Sequence, residues 1–391
     1  MKLAELTTLR VGGAIQDLVV AREEQQAIEA IRAADEAGRP LLVLGGGSNF
    51  LPSDQPFEGT VVLMTDPGDA PVLDATCDVD GAGTPATPSV TTAEAVGESP
   101  AGPSSAGDVD LTPLDASCGG ATAEYFAGVS WDRAVAYAVA REMIGIEALS
   151  GIPGSVGATP IQNVGAYGQE VSATITRVRT WDREKGAVRT FYAADCEFGY
   201  RDSLFKRTRY QGAAPSPTGR YVVLSVSFQH RVGEMSEPIR YGQLAQYLGV
   251  EVGERVPMAR VRQAVLEIRA SKGMVLDPSD HDTWSAGSFF TNPILPIEQA
   301  QQLPDDAPRF PAGEGLVKSS AAWLISHAGF DKGFSVGPRA SLSTKHSLAL
   351  TNRGDASADD LAELARAVRD GVEKSFGVRL EPEPVRWGVD I

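Results

Sequence analysis

Gly151-Ile152-Pro153-Gly154-Ser155-Val156-Gly157-Ala158-Thr159-Pro160-Ile161-Gln162-Asn163-Val164-Gly165-Ala166-Tyr167-Gly168 carries five glycines, two prolines and no charge. Glycine frees the backbone and proline fixes φ and removes a donor, so this composition favours neither a helix nor a regular strand. It suits a loop whose own N–H groups lie against a large, flat, anionic ligand. A second such loop, Gly45-Gly46-Gly47-Ser48-Asn49, follows the apolar run Leu41-Leu42-Val43-Leu44. Two glycine-rich loops on separate segments point to a dinucleotide held between them, although either loop alone is also compatible with a tight surface turn. Neither is a Rossmann fingerprint, which needs G-x-G-x-x-G between a strand and a helix. Here Pro52 follows the first loop closely and opposes immediate helix formation.

The chain has 391 residues, enough for two or three domains, with 42% hydrophobic and 22% charged residues, as in ordinary globular proteins. No apolar stretch approaches the length of a membrane span. The start Met1-Lys2-Leu3-Ala4-Glu5 lacks an apolar signal region, so the expectation is a cytoplasmic protein. Three cysteines (Cys77, Cys118, Cys196) without a C-x-x-C argue against a disulfide framework or a structural metal. The net charge of −16 is unevenly spread. Between Arg39 and Arg133 there is no Lys or Arg, and residues 66–120 hold ten acids, so the remainder stands near −6. This balance argues against a broad basic face for nucleic acid.

Residues 1–65 read as a small β-α-β-β unit: a strand around Leu18–Val20, a helix from Glu23 to Ala37 with Ile28 and Ile31 inward, and strands Leu41–Leu44 and Thr60–Met64. Residues 66–120 form an acidic low-complexity insertion, richest in Ala, Gly, Pro, Ser and Thr over 81–107, which cannot bury enough apolar surface to offset its ordering entropy. Its role is either a solubilising loop or a partner-binding one, flanked by strands near Val72–Thr76 and Glu124–Val129. A helix capped by Ser130 runs through WDRAVAYAVAREM, and strands follow at Thr174–Trp181, Val188–Tyr192 and Tyr221–Gln229. Helices are expected at Pro257–Ser271, Ser319–Ala328 and Asp359–Ser375, the last with a capping box at Ser357 and Asp360. The C-terminal stretch Val378–Gly388 reads as a strand weakened by two prolines.

Six segments recur in order: Thr8-Leu9-Arg10-Val11-Gly12-Gly13, Leu44 to Asn49, Ile152-Pro153-Gly154 to Gly168, Phe198-Gly199-Tyr200-Arg201-Asp202-Ser203, Ala286-Gly287-Ser288-Phe289-Phe290 and Leu380-Glu381-Pro382-Glu383. Together they resemble the UDP-N-acetylenolpyruvoylglucosamine reductase (MurB) family through nearly the whole chain. The resemblance implies an α+β protein with an FAD-binding fold of the vanillyl-alcohol-oxidase (PCMH) type, in two subdomains, plus a third α/β substrate-binding domain. The expected boundaries are 1–65 for the first FAD subdomain and 66–273 for the second, containing the insertion. Residues 274–376 then form the substrate-binding domain, and 377–391 a C-terminal strand returning the catalytic glutamate to the FAD site. It further implies non-covalent FAD, NADPH as hydride donor, a small-molecule UDP-sugar substrate, no nucleic-acid or membrane partner, no metal, and a monomer. All four histidines lie past residue 229, away from the FAD-loop segments, which disfavours covalent flavin attachment.

The family's reaction reduces an enolpyruvyl ether to a lactyl ether and leaves negative charge beside a carboxylate. Such an enolate needs fixed positive charge or hydrogen-bond donors, then a proton on carbon. By resemblance Arg201 grips the substrate carboxylate, which a guanidinium does through two donors. Ser288 matches the proton donor, and Glu383 the glutamate that works with the arginine. Pro384 follows Glu383 where the family commonly has an apolar residue, so Glu381 competes for this role. The cofactor-binding residues implied are Gly45, Gly46, Gly47, Ser48, Asn49, Ile152, Pro153, Gly154, Ser155, Gly157, Gln162, Asn163, Gly165, Ala166 and Tyr167. Tyr241, Lys272 and Asn292 match positions near the UDP-sugar or nicotinamide, and the Tyr241 region implies the subtype with a tyrosine loop over the substrate. Lys345 and His346 rank behind these. Two other functions share the glycine loops: an FAD oxidase of the same superfamily acting on a sugar or lactone, and a flavin-binding but inactive module.

Overall fold

The computed structural model describes residues 1–74, 120–212 and 214–391. The run Leu41–Leu44 is one edge of a three-stranded parallel sheet whose order is Ile15–Ala21, Phe57–Met64, Leu41–Leu44. Parallel strands need a crossover; the helix Glu24–Glu36 crosses from Ile15–Ala21 to Leu41–Leu44, burying Ala27, Ile31 and Ala34 and partly burying Ile28. Gly38, just past its end, takes a φ of +64°, the left-handed conformation that glycine adopts freely.

A six-stranded antiparallel sheet follows, in the order Ala187–Tyr192, Ile175–Asp182, Tyr221–Val232, Gly120–Phe126, Val72–Asp74, with Met143–Ile144 paired to the far end of Tyr221–Val232. The central strand Tyr221–Val232 is buried on both faces over most of its length. The two sheets share one core, in which Ile31, Leu41 and Val62 meet Val178, Val226 and Phe228. A second core gathers Phe289, Leu324, Leu361, Val368 and Leu380, and Leu9, Val11 and Leu51 from the N-terminal segment complete it. The first and last parts of the chain are therefore packed together, and Val385–Trp387 pairs in parallel with Phe50–Pro52.

Several elements differ from the sequence reading. Ser130 occupies the N-cap position of Trp131–Ala140, but its side chain makes no capping bond. That helix ends at Ala140 because Met143 and Ile144, apolar and buried, are drawn into the sheet. Helix Ala321–His327 is shorter than expected, and it is Ser320 whose side chain accepts the Trp323 N–H. The C-terminal strand shrinks to Val385–Trp387, preceded by a single bridge between Phe290 and Pro382, because Pro382 and Pro384 have no N–H to donate. Helix Gly242–Leu248 was not anticipated: it is seven residues long and no side chain caps its start. Of the acidic insertion, residues 75–119 lie outside the described residues, and the strand beside it covers Val72–Asp74.

The capping box before Ala358–Phe376 is formed: the Ser357 hydroxyl accepts the Asp360 N–H, and the Asp360 carboxylate accepts the Ser357 N–H. Ser357→Ala should therefore destabilise the protein by about 1 kcal/mol, read as a lower urea midpoint with an unchanged slope. An unchanged midpoint would show that the cap contributes nothing here.

Candidate active site

The two glycine-rich loops pack back to back. A Cβ on Gly46 would lie 2.7 Å from the Gly154 Cα, and one on Gly45 would lie 2.0 Å from the Ser155 Oγ. Side chains are thus excluded by loop-on-loop contact. The Ser48 hydroxyl donates to the Pro153 carbonyl (2.9 Å), and the Asn49 amide donates to Gln162 Oε1 (3.1 Å). The joined loops form a wall of a cavity of about 1580 Å³, larger than the roughly 300–1,000 Å³ of a typical small-molecule site. This long cradle of small residues and free backbone fits an extended dinucleotide with room for a second ligand.

Every flavin-loop candidate lines this cavity except Asn163. Asn163 is buried and committed to the protein: its amide donates to Glu170 (2.9 Å) and to the Gly199 carbonyl (3.1 Å), and its Oδ1 accepts the Ser172 N–H (3.1 Å). It shapes the loop and does not form the cavity wall.

Arg201 sits at the tip of a tight turn closed by bonds between Gly199 and Asp202, with a φ of +51° that is strained for a residue with a Cβ. Its guanidinium donates to the carbonyls of Gly165 (2.8 Å) and Asn163 (3.4 Å), and its Nε lies 3.3 Å from Glu383 Oε1. The neighbouring Asp202 pairs with Arg207 instead. Glu383 Oε1 also accepts from the Gln162 amide (2.9 Å). Burial pushes the Glu383 carboxyl above the usual carboxylate range, and Arg201, Lys206 and Gln162 pull it only part of the way back.

Ser288 reaches the same place by backbone pairing. The Glu383 N–H donates to the Phe289 carbonyl (2.8 Å), and the Thr291 N–H to the Glu381 carbonyl (3.0 Å). Arg201, Ser288 and Glu383 all line the cavity, whereas Glu381 is exposed and outside its wall. The structure thereby separates the two glutamates that the sequence left in competition.

The far end is basic. Tyr241 is exposed, with its ring edge-on to Tyr167 at 5.6 Å between centroids. Lys272, just past helix Met258–Ser271, donates to Gln243 (2.7 Å). Burial lowers the Lys272 ammonium pKa, and Arg269 and Lys332 lower it further. His346 also lines the cavity, and burial, then Lys272, Lys332 and Arg269, push its imidazole down to about 4, so it is neutral near pH 7. Arg269 is buried, and its Nε has no partner. Mutual repulsion of this kind is relieved by a bound anion. The sequence reading passed over Arg269 and Lys332, although Arg269 stands three residues before Lys272. Asn292 lines the cavity, while its Oδ1 accepts the Ala321 N–H (2.9 Å) at the start of a helix. Among the described residues no group of three or more His, Cys, Asp or Glu is arranged to hold a metal, and no helix is long and apolar enough to cross a membrane.

Comparison with known proteins agrees with this geometry. Residues 277–387 match the model of the UDP-N-acetylenolpyruvoylglucosamine reductase C-terminal domain, and residues 15–71 and 109–192 match an FAD binding domain. The chain is 49% identical over 391 residues to UDP-N-acetylenolpyruvoylglucosamine reductase of Cutibacterium acnes, covering 100% of this chain and 90% of that one. It is 46% identical over 398 residues to the Streptomyces coelicolor protein of the same name, covering 99% and 89%. The chain belongs to the UDP-N-acetylenolpyruvoylglucosamine reductase family. It is an FAD-dependent oxidoreductase of that family, with an FAD-binding domain. The crystal structure of the family member from Thermus caldophilus superposes with a TM-score of 0.55 at 22% identity, covering 99% of this chain and 97% of that one, a likeness of fold.

The Arg201–Glu383 pair gives a direct test. In a ¹³C-carboxyl NMR titration Glu383, assigned through Glu383→Gln, should titrate above the ordinary glutamate range. Arg201→Met should move it higher still, because the cation favours the charged carboxylate. An ordinary midpoint, or a downward move in the variant, would contradict this electrostatic account.

Proposed function

We propose that this protein is a cytoplasmic, monomeric, NADPH-dependent flavoenzyme that reduces UDP-N-acetylglucosamine enolpyruvate to UDP-N-acetylmuramate in peptidoglycan precursor synthesis. The observation that carries this reading is the convergence of Arg201, Glu383 and Ser288 on a cavity walled by both glycine loops and ending in Arg269, Lys272 and His346. We divide the chain functionally into FAD-binding parts (1–65 and 66–273), a substrate-binding part (274–376) and the C-terminal segment 377–391.

Residues of the two glycine loops, Gly45 to Asn49 and Ile152 to Tyr167, hold the FAD non-covalently. His346, the histidine on the cavity wall, belongs to the basic end. When bound, the flavin supplies a hydride to the terminal enolpyruvyl carbon. Arg201, already fixed by two loop carbonyls, binds the substrate carboxylate on which charge develops. Glu383, kept protonated to higher pH by its burial, donates a hydrogen bond to the same group. Ser288 delivers the proton to the adjacent carbon, while the buried Phe289 and Phe290 keep water from that side. Lys272 and Asn292 bind the UDP-sugar, with Arg269 and His346 adding to the anion site, and Tyr241 covers the ligand. NADPH and substrate take turns in this one cavity.

Anaerobic absorbance tests the reading. Stoichiometric NADPH should bleach the flavin bands, and the enolpyruvyl sugar should restore them. A flavin that NADPH bleaches and this substrate leaves reduced would refute the substrate assignment. Ser288→Ala should retain rapid bleaching and lose reoxidation by at least 100-fold, within the range for general acid catalysis. Reoxidation at the wild-type rate would remove Ser288 from its role. Glu383→Gln should cripple turnover while Glu381→Gln leaves it near normal, and the reverse order would overturn the choice between them.

A further inference from the structure

The N-terminal turn Thr7–Val11 bonds to both the first glycine loop and the serine turn. Thr8 is buried and makes two bonds in different directions. Its backbone N–H donates to the Gly47 carbonyl (3.1 Å), and its hydroxyl donates to the Ser285 carbonyl (2.6 Å). Gly47 is tightly seated on this turn, because a Cβ there would lie 1.9 Å from the Leu6 carbonyl oxygen. On the other side, the Ser285 hydroxyl accepts the Gly287 N–H (3.2 Å), and Gly287 has a φ of +71°. Ser288 follows at once, and the next residue, Phe289, is anchored by its N–H to the Leu348 carbonyl (2.8 Å).

The turn that carries Ser288 is therefore pinned at its far end by Leu348 and at its near end by Thr8. The Thr8 turn is itself held by Asn352, whose amide donates to the carbonyls of Leu9 (3.0 Å) and Arg10 (3.3 Å). The Arg10 guanidinium lies 3.9 Å from the centre of the Trp284 ring, next to Ser285.

We propose that Thr8 is a positioning residue that couples the first flavin loop to the Ser288 turn, setting the serine hydroxyl relative to the flavin. This rests on the reading of Ser288 as proton donor. The chemistry is that of a single buried hydroxyl. Without it the Ser285 carbonyl loses its donor, and the glycine beyond lets the turn swing. The Thr8 backbone bond to Gly47 survives any side-chain change, so the flavin loop keeps its own anchor.

The test uses the flavin-loaded enzyme with Thr8→Val, which keeps the shape and removes the hydroxyl, and Thr8→Ser, which restores it. Thr8→Ala serves if the valine variant fails to fold. Flavin content and bleaching by NADPH should stay within about twofold of wild type. Reoxidation by the enolpyruvyl sugar should slow by about tenfold or more, since small misplacement of a reacting group is costly, and Thr8→Ser should recover it. Amide hydrogen exchange should rise at residues 286–290 in Thr8→Val and stay unchanged at 45–49. Equal slowing of both half-reactions, wild-type reoxidation, or unchanged exchange at 286–290 would each overturn the coupling. If the wild-type flavin is not reoxidised by the enolpyruvyl sugar, the substrate reading fails, and the exchange rates alone decide the coupling.

Discussion

The half-buried carboxyl of Glu383 joins the segments that make this site. It accepts from Gln162 of the long glycine loop, which in turn accepts from Asn49 of the first loop, and it pairs with Arg201, whose guanidinium is docked on the carbonyls of Gly165 and Asn163. Four regions of the chain thus meet on one short run of hydrogen bonds closed by an ion pair. A carboxyl so enclosed is costly to leave without partners, and that cost holds the regions in register. The same burial raises its proton affinity.

The glycines act in two ways. Gly45 and Gly46 are small because the other loop lies against them, leaving no room for a Cβ. Gly287 meets no neighbour within 4 Å at the Cβ position, and its requirement is the positive φ that turns the chain toward Ser288. Close packing fixes the glycine-loop wall of the cavity, and backbone freedom shapes the serine turn.

The charge distribution shows how an acidic protein can still gather bases in one place. The chain carries −16 overall, yet Arg269, Lys272 and His346 meet at one end of the cavity, with Lys332 acting on two of them. The depressed pKa values of Lys272 and His346 record burial next to like charge, and that of Arg269 records burial alone. Local placement, and not net charge, decides what binds.

The glycine loops, the capping box and the β-α-β-β unit at the start of the chain were legible in the sequence, because each follows from local composition or from a periodicity spanning a few residues. Helix Glu24–Glu36 and strand Leu41–Leu44 lie where their patterns placed them. Order along the chain also placed Arg201, Ser288 and Glu383 as candidates. Only the tertiary structure put Glu383 on the cavity wall and Glu381 outside it, gave Arg201 its partner, withdrew Asn163 from the wall and brought His346 and Arg269 into it. Gln162 and Glu383 stand 221 positions apart, and Thr8 and Ser285 stand 277 apart. Such pairings are settled by the packing of whole cores, to which the N-terminal Leu9 and Val11 contribute as much as the C-terminal Leu380. Local pattern fixes what each segment can become, and the burial of distant segments against one another decides which of their side chains meet.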